Sequence, residues 1–196
     1  KLPVSGKFAN LDLANEAAFA GETQNGEVSI SLEPSQSLFF VFGDNEGLAN
    51  EPELVKTVDI APEYDLALAD CEDLSTFEGV GHFDSFFNVT KPDFKPTFSG
   101  KMRYTFKINV EKGNNVSLDL GRVGTSARLV LNGKDMGVRF TAPFVFDITD
   151  AVKEGENEVV VTVGNTLTQK VRDRFSFNML LAPSGLLGDM KIKYYK

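Results

Sequence analysis

The sequence contains no tryptophan, one cysteine (Cys71) and one histidine (His82) in 196 residues. A lone cysteine excludes an internal disulfide and a cysteine-rich zinc site. A lone histidine excludes any catalytic or metal arrangement that needs two imidazoles. No apolar run approaches the roughly 18–20 residues of a membrane-spanning helix. Lys1-Leu2-Pro3-Val4 lacks the apolar stretch of a signal peptide. The chain is therefore expected to start after processing or to be a piece of something longer. Cationic charge is scarce: 20 Lys and Arg face 28 Asp and Glu, a formal charge of −8. That balance argues against a nucleic-acid partner and against an anionic membrane surface, both of which need clustered cations. Residues 1–98 hold 5 basic and 18 acidic side chains, whereas residues 99–196 hold 15 and 10. The asymmetry reads as two units, or two sheets, with complementary surfaces.

Hydrophobic residues make up 42% of the chain, enough for a packed core. From Lys101 to Val110 apolar Met102, Tyr104, Phe106, Ile108 and Val110 alternate with polar neighbours. Strict period two describes a strand with one face on a core and one in water. Val116, Leu118 and Leu120 repeat the pattern, as do Ala127, Leu129 and Leu131. Asn132-Gly133 is a strong hairpin signal, because both residues tolerate positive φ. Lys134 to Phe140 returns, Phe144, Phe146 and Ile148 alternate, and Glu158 to Val163 and Lys191 to Tyr195 close the series. Asp147 to Lys153 is expected to hold one helical turn. The first half is less regular. Val28 to Leu32, Ser37 to Phe42 and Leu54 to Ile60 read as strands, Ala-rich Asp12 to Ala20 as a short helix, 43–53 as a linker and 61–99 as long loops. Short strands at 8–12-residue spacing with little helix predict an all-β β-sandwich of jelly-roll type, its core filled by the 17 phenylalanines.

The run from Ala127 to Val163 is more specific than its period. Leu129-Val130-Leu131-Asn132-Gly133-Lys134, then Gly137, Pro143-Phe144, Phe146-Asp147-Ile148-Thr149 and Gly155-Glu156-Asn157 resemble the sugar-binding, galactose-binding-like jelly roll of family 2 glycoside hydrolases. Ser99-Gly100 before Tyr104, and Ser184-Gly185-Leu186 near the end, look like two further elements of that domain. Gly26 to Phe42 is similar to a segment of the large α-L-rhamnosidase-like glycoside hydrolases of family 106, where it precedes a C-terminal jelly roll. The resemblance implies that residues 1–46 are the closing strands of a preceding β domain and that 54–196 form the jelly roll. It implies catalysis upstream of this chain, carbohydrate and the parent's catalytic domain as partners, and a secreted, periplasmic or cell-surface location. Where the family often has Trp, Leu11 and Phe140 stand here.

No carboxylate sits in a catalytic motif, so no catalytic residue is assigned. Sugar binding needs an aromatic face together with amide, carboxylate or guanidinium groups. Asn132 and Asp135 on the hairpin, Arg139-Phe140 beside Pro143-Phe144, and Asp189 after the Ser-Gly-Leu element are the candidate carbohydrate-binding residues. The plainer alternative puts Phe140 and Phe144 in the core and pairs Arg139 with an acid. The Arg that usually precedes the equivalent of Asp189 is Gly188 here. No cofactor is expected. Asp65, Asp70, Glu72 and Asp73 offer oxygen ligands for calcium, but not at EF-hand spacing, and a solvated acidic loop explains them as well. Three functions follow: a non-catalytic β-sandwich module of a secreted glycoside hydrolase, an independent carbohydrate-binding module, or a glycosidase in its own right.

Overall fold

Period-two alternation places every second residue of Gly100–Val110 in the core, and this strand organises the molecule. The computed structural model describes residues 2–3, 6–13, 16–32, 36–111, 113, 115–172, 174 and 177–196. Its strands are β1 (Leu2–Pro3), β2 (Lys7–Asp12), β3 (Ala17–Glu22), β4 (Glu27–Val28), β5 (Phe39–Phe42), β6 (Leu54–Asp59), β7 (Tyr64–Asp70), β8 (Glu78–Phe83) and β9 (Gly100–Val110). They continue as β10 (Asn115–Asp119), β11 (Arg122–Val123), β12 (Ser126–Leu131), β13 (Lys134–Arg139), β14 (Val145–Asp147), β15 (Gly155–Gly164), β16 (Leu186–Gly188) and β17 (Lys191–Tyr195).

A six-stranded sheet in the order β13-β12-β15-β9-β7-β8 faces a four-stranded sheet in the order β14-β10-β17-β6. Tyr64, Leu66, Met102, Tyr104, Leu129, Leu131, Val159 and Val161 from the first meet Val116, Leu118, Phe146 and Ile192 from the second, all in one buried cluster. At about 25 cal/mol per Å² of apolar surface removed from water, this contact is the main stabilising term of the fold. The all-β sandwich expected from the sequence is present. A separate three-stranded antiparallel sheet, β3-β2-β5, lies N-terminal to it, and Phe8 is its buried anchor, with Phe40 at 5.1 Å edge-on.

Three expectations need correction. Asp12 and residues 17–20 of the expected helix are strand instead, with β2 and β3 pairing from Lys7↔Glu22 to Asp12↔Ala17, while 14 and 15 lie outside the described residues. Alanine's helix propensity is worth only tenths of a kcal/mol per residue, so cross-strand pairing overrides it. Residues 61–99 are not all loop. Tyr64, Leu66 and Leu68 are buried on β7, which pairs with β9, and β8 extends the same sheet. The remaining loop is pinned by rings, with Tyr64 stacked on Phe86 at 5.0 Å and Phe87 edge-on to Phe94 at 5.1 Å. Its backbone is tied to the far end of the chain by Val89 N–H donating to the Ser184 carbonyl at 2.9 Å. The turn expected within 147–153 is present, with Ala151 N–H and Val152 N–H both donating to the Ile148 carbonyl. Of the strand expected over 28–32, only Val28 is in a strand. Residues 33–35, expected to split two strands, lie outside the described residues, as do 112 and 114 of the expected turn over 111–115.

Candidate functional site: a cleft between two sheets

A cleft of about 640 Å³ opens between the three-stranded sheet and the outer face of the four-stranded sheet. That is the size of a small-molecule pocket, for which about 300–1,000 Å³ is usual. Because β-strand side chains alternate, the strands that send Val116, Phe146 and Ile192 into the core send their neighbours outward. Ser117 therefore sits between its cross-strand partners Asp147 and Lys193, and Asn115 sits opposite Tyr195. This polar row is the floor. Asn10, Asp12 and Phe39 from β2 and β5 line the opposite wall, and Arg139, Thr141, Ala142 and Pro143 form part of the rim.

The charges in the cleft are partly committed. Lys193 Nζ lies 2.8 Å from Asp119 Oδ2. Asp147 Oδ1 accepts the Thr149 N–H at 2.9 Å. Arg139 Nε donates to the Val145 carbonyl at 3.2 Å, and its guanidinium lies 5.0 Å from the centre of the Phe146 ring. Burial lowers the Arg139 pKa, and the charge of Asp12 across the cleft works against that shift. Asn10 Nδ2 donates to Glu51 Oε2 at 3.1 Å, while Asn10 Oδ1 is shut off from solvent with no hydrogen-bond partner. A buried acceptor left in that state costs on the order of 1–3 kcal/mol.

Of the five candidate residues, the structure brings only Arg139 to this cleft. Asn132 adopts φ 50° with Gly133 at φ 82°, the tight turn that Asn-Gly permits. Its side chain is occupied: Nδ2 donates to the Ala151 carbonyl at 2.9 Å and to Asn157 Oδ1 at 2.8 Å, and Oδ1 accepts the Glu158 N–H at 3.1 Å. Asp135 accepts two bonds from Arg128, at 3.2 and 2.7 Å, and the Arg128 guanidinium holds its carboxyl below the usual range. Phe140 is 75% exposed but does not line the cleft, whereas Phe144 is buried in the core. Asp189, at φ 63°, lies 3.4 Å from Arg122 Nε. Sequence reasoning missed Asp12, Phe39, Ser117 and Tyr195. Their only signal is outward position on strands that become neighbours after folding.

The four carboxylates named for calcium are spoken for by other groups. Asp70 and Glu72 both hold Lys170 Nζ, at 2.9 and 2.8 Å; Asp73 accepts from the Ser75 backbone; and Asp65 pairs with His82. Among the described residues no three metal-binding side chains converge. No helix among them is long and apolar enough to cross a membrane.

No family model matches the chain. A stretch of 100 residues is 37% identical to a protein of Formosa agariphila provisionally named a β-glucuronidase, covering 48% of this chain and 7% of that protein. Among solved structures, the rhamnosidase from Novosphingobium sp. PP1Y superposes with a TM-score of 0.71 at 22% identity, covering 98% of this chain and 21% of that enzyme. A β-glucuronidase from an uncultured Clostridium sp. superposes with a TM-score of 0.53 at 19% identity, over 71% of this chain and 29% of that one. A family 2 β-galacturonidase from Eisenbergiella tayi gives 0.51 at 15% identity, over 73% and 25%. The chain thus spans 7% of the curated relative and between 21% and 29% of these solved structures. Its fold is that of a β-sandwich region related to those of glycoside hydrolases.

Proposed function

We propose that this chain is a non-catalytic β-sandwich module of a secreted glycoside hydrolase, which supports a catalytic domain elsewhere in the same polypeptide. The observation that carries this reading is the rhamnosidase superposition. It takes in 98% of this chain, N-terminal sheet included, yet only 21% of the enzyme. A region that keeps both sheets in one superposition while most of the enzyme lies elsewhere behaves as a supporting part.

The three-stranded sheet supports the same reading and the division at about residue 46. It buries only Phe8 among its strand residues, while β5 leaves Val41 56% and Phe42 43% exposed along an open edge. An apolar edge strand of that kind is normally covered. Residues 1–46 are, on this reading, the closing strands of a preceding β domain, which supplies the cover.

The test is hydrolysis. The purified chain is incubated with a panel of aryl glycosides, neutral and uronic. No turnover above buffer is expected. Turnover that follows the chain through purification would overturn the reading and make this a glycosidase in its own right.

A further inference from the structure

We propose that the cleft between the two sheets is a binding site for a neutral saccharide, with Asp12 and Arg139 on its opposing sides and Phe39 as its aromatic platform. The choice of a saccharide over other polar ligands rests on the glycoside-hydrolase reading above; the choice of a neutral one rests on the cleft itself.

Three features carry it. The floor presents hydroxyl, amide and phenol groups in register, Ser117 beside Asn115 and Tyr195, on a sheet whose geometry is fixed by the sandwich core beneath. Such a floor is a rigid array of donors and acceptors at strand spacing, matched to a ring carrying several hydroxyls. Next, Asp12 and Arg139 line the same cleft from different sheets, with the Asp12 charge acting on the guanidinium. A carboxylate that accepts and a guanidinium that donates can together engage neighbouring hydroxyls, each of which both gives and takes a hydrogen bond. Lastly, Phe39 lines the cleft with half its surface exposed, at 51%, which offers a face to the C–H side of a sugar ring. Asn10 Oδ1 adds an acceptor in need of a donor, which a ligand hydroxyl supplies once the amide turns toward it.

The charge balance sets the class. Among the described residues, Asp12, Glu51 and Asp147 are the lining carboxylates and Arg139 and Lys193 the lining cations, with Lys193 paired with Asp119. A sugar carboxylate entering here meets more negative charge than positive. The cleft therefore favours an uncharged sugar over a uronic acid.

The test is calorimetry on the full chain with methyl glycosides of neutral sugars and of uronic acids. Saturable binding of a neutral glycoside is expected, with Kd below about 10 mM, and weaker binding of the uronates by about tenfold or more. Asp12→Asn and Phe39→Ala should each weaken binding by about tenfold without lowering the melting temperature. Asp135→Asn, outside the cleft, should leave it unchanged. Silence toward every neutral glycoside, preference for uronates, or binding indifferent to both cleft substitutions would overturn the proposal. None of these results touches the module reading, which stands or falls on the hydrolysis assay and on deletion from a parent enzyme.

Discussion

Asn157 shows how one side chain closes a junction. It is 1% exposed and uses its whole amide: Oδ1 accepts from Lys153 N–H at 2.7 Å and from Asn132 Nδ2 at 2.8 Å, while Nδ2 donates to the Lys153 and Gly155 carbonyls at 2.7 and 2.8 Å. Asn157→Ala strands several buried partners at once, and should cost about 2–4 kcal/mol. Urea denaturation reads this as a lower midpoint at constant slope; a change within about 0.5 kcal/mol would contradict the role. Gly185 is constrained differently. It sits at φ 111°, and an added Cβ would clash with Tyr104 Oη. That hydroxyl accepts the Leu186 N–H at 3.2 Å inside the core. Gly185→Ala must therefore displace the buried Tyr104 hydroxyl from its bond with Leu186 and strain a positive-φ backbone, and should destabilise by about 2 kcal/mol or more in the same assay. The resemblance found Asn132, Gly185 and Asn157 as motif positions, and all three prove to be packing and turn residues. A motif that repeats across a fold because the backbone needs it says little about ligand.

At the scale of elements, the strands readable in the sequence were those with one dry face and one wet face. Lys101 to Val110 alternates without a break and becomes β9, the strand between β15 and β7. β7 carried the same signal in Tyr64, Leu66 and Leu68, hidden among acids and alanines. β8 had almost none, since Glu78, Gly79, Gly81 and His82 are polar or lack a side chain and only pairing with β7 makes it a strand. Apart from Arg139 the cleft was illegible for a related reason: its residues come from β2, β3, β5, β10, β13, β14, β17 and the loops between them, and no local pattern joins them. The β7–β8 hairpin also carries a pH signature. His82 faces Asp65 across the pair, with Nδ1 2.9 Å from Asp65 Oδ1 and Nε2 3.3 Å from Glu63 Oε2. The hydrogen bonds to Asp65 and then Glu63 raise its pKa above the ordinary 6.5. The folded state thus holds the proton more tightly than the unfolded chain. The resulting stabilisation is complete below 6.5 and is lost as pH rises through the higher folded value. Melting temperature measured across this window should fall slightly more for the native chain than for His82→Gln. The difference should fade at high salt, because all three groups are exposed. Identical pH profiles would remove the pair's contribution.

At the scale of the whole molecule, the sandwich and the three-stranded sheet are unequal. The sandwich has a continuous core drawn from both its faces, while the smaller sheet keeps apolar side chains in water. Val41→Lys on the open strand should change the stability of the chain alone by no more than about 0.5 kcal/mol, since more than half of that side chain is exposed. In a parent enzyme the same substitution should lower the melting temperature, because the charge would then be buried against the preceding domain. Equal effects in both settings would remove the proposed cover.

The most direct measurement is to delete this region from the proposed parent glycoside hydrolase and compare thermal unfolding and turnover with the intact enzyme. The account predicts a truncated enzyme that melts at lower temperature and loses activity as it unfolds, with its catalytic carboxylates still in place. A truncated enzyme of full stability and full activity would contradict it.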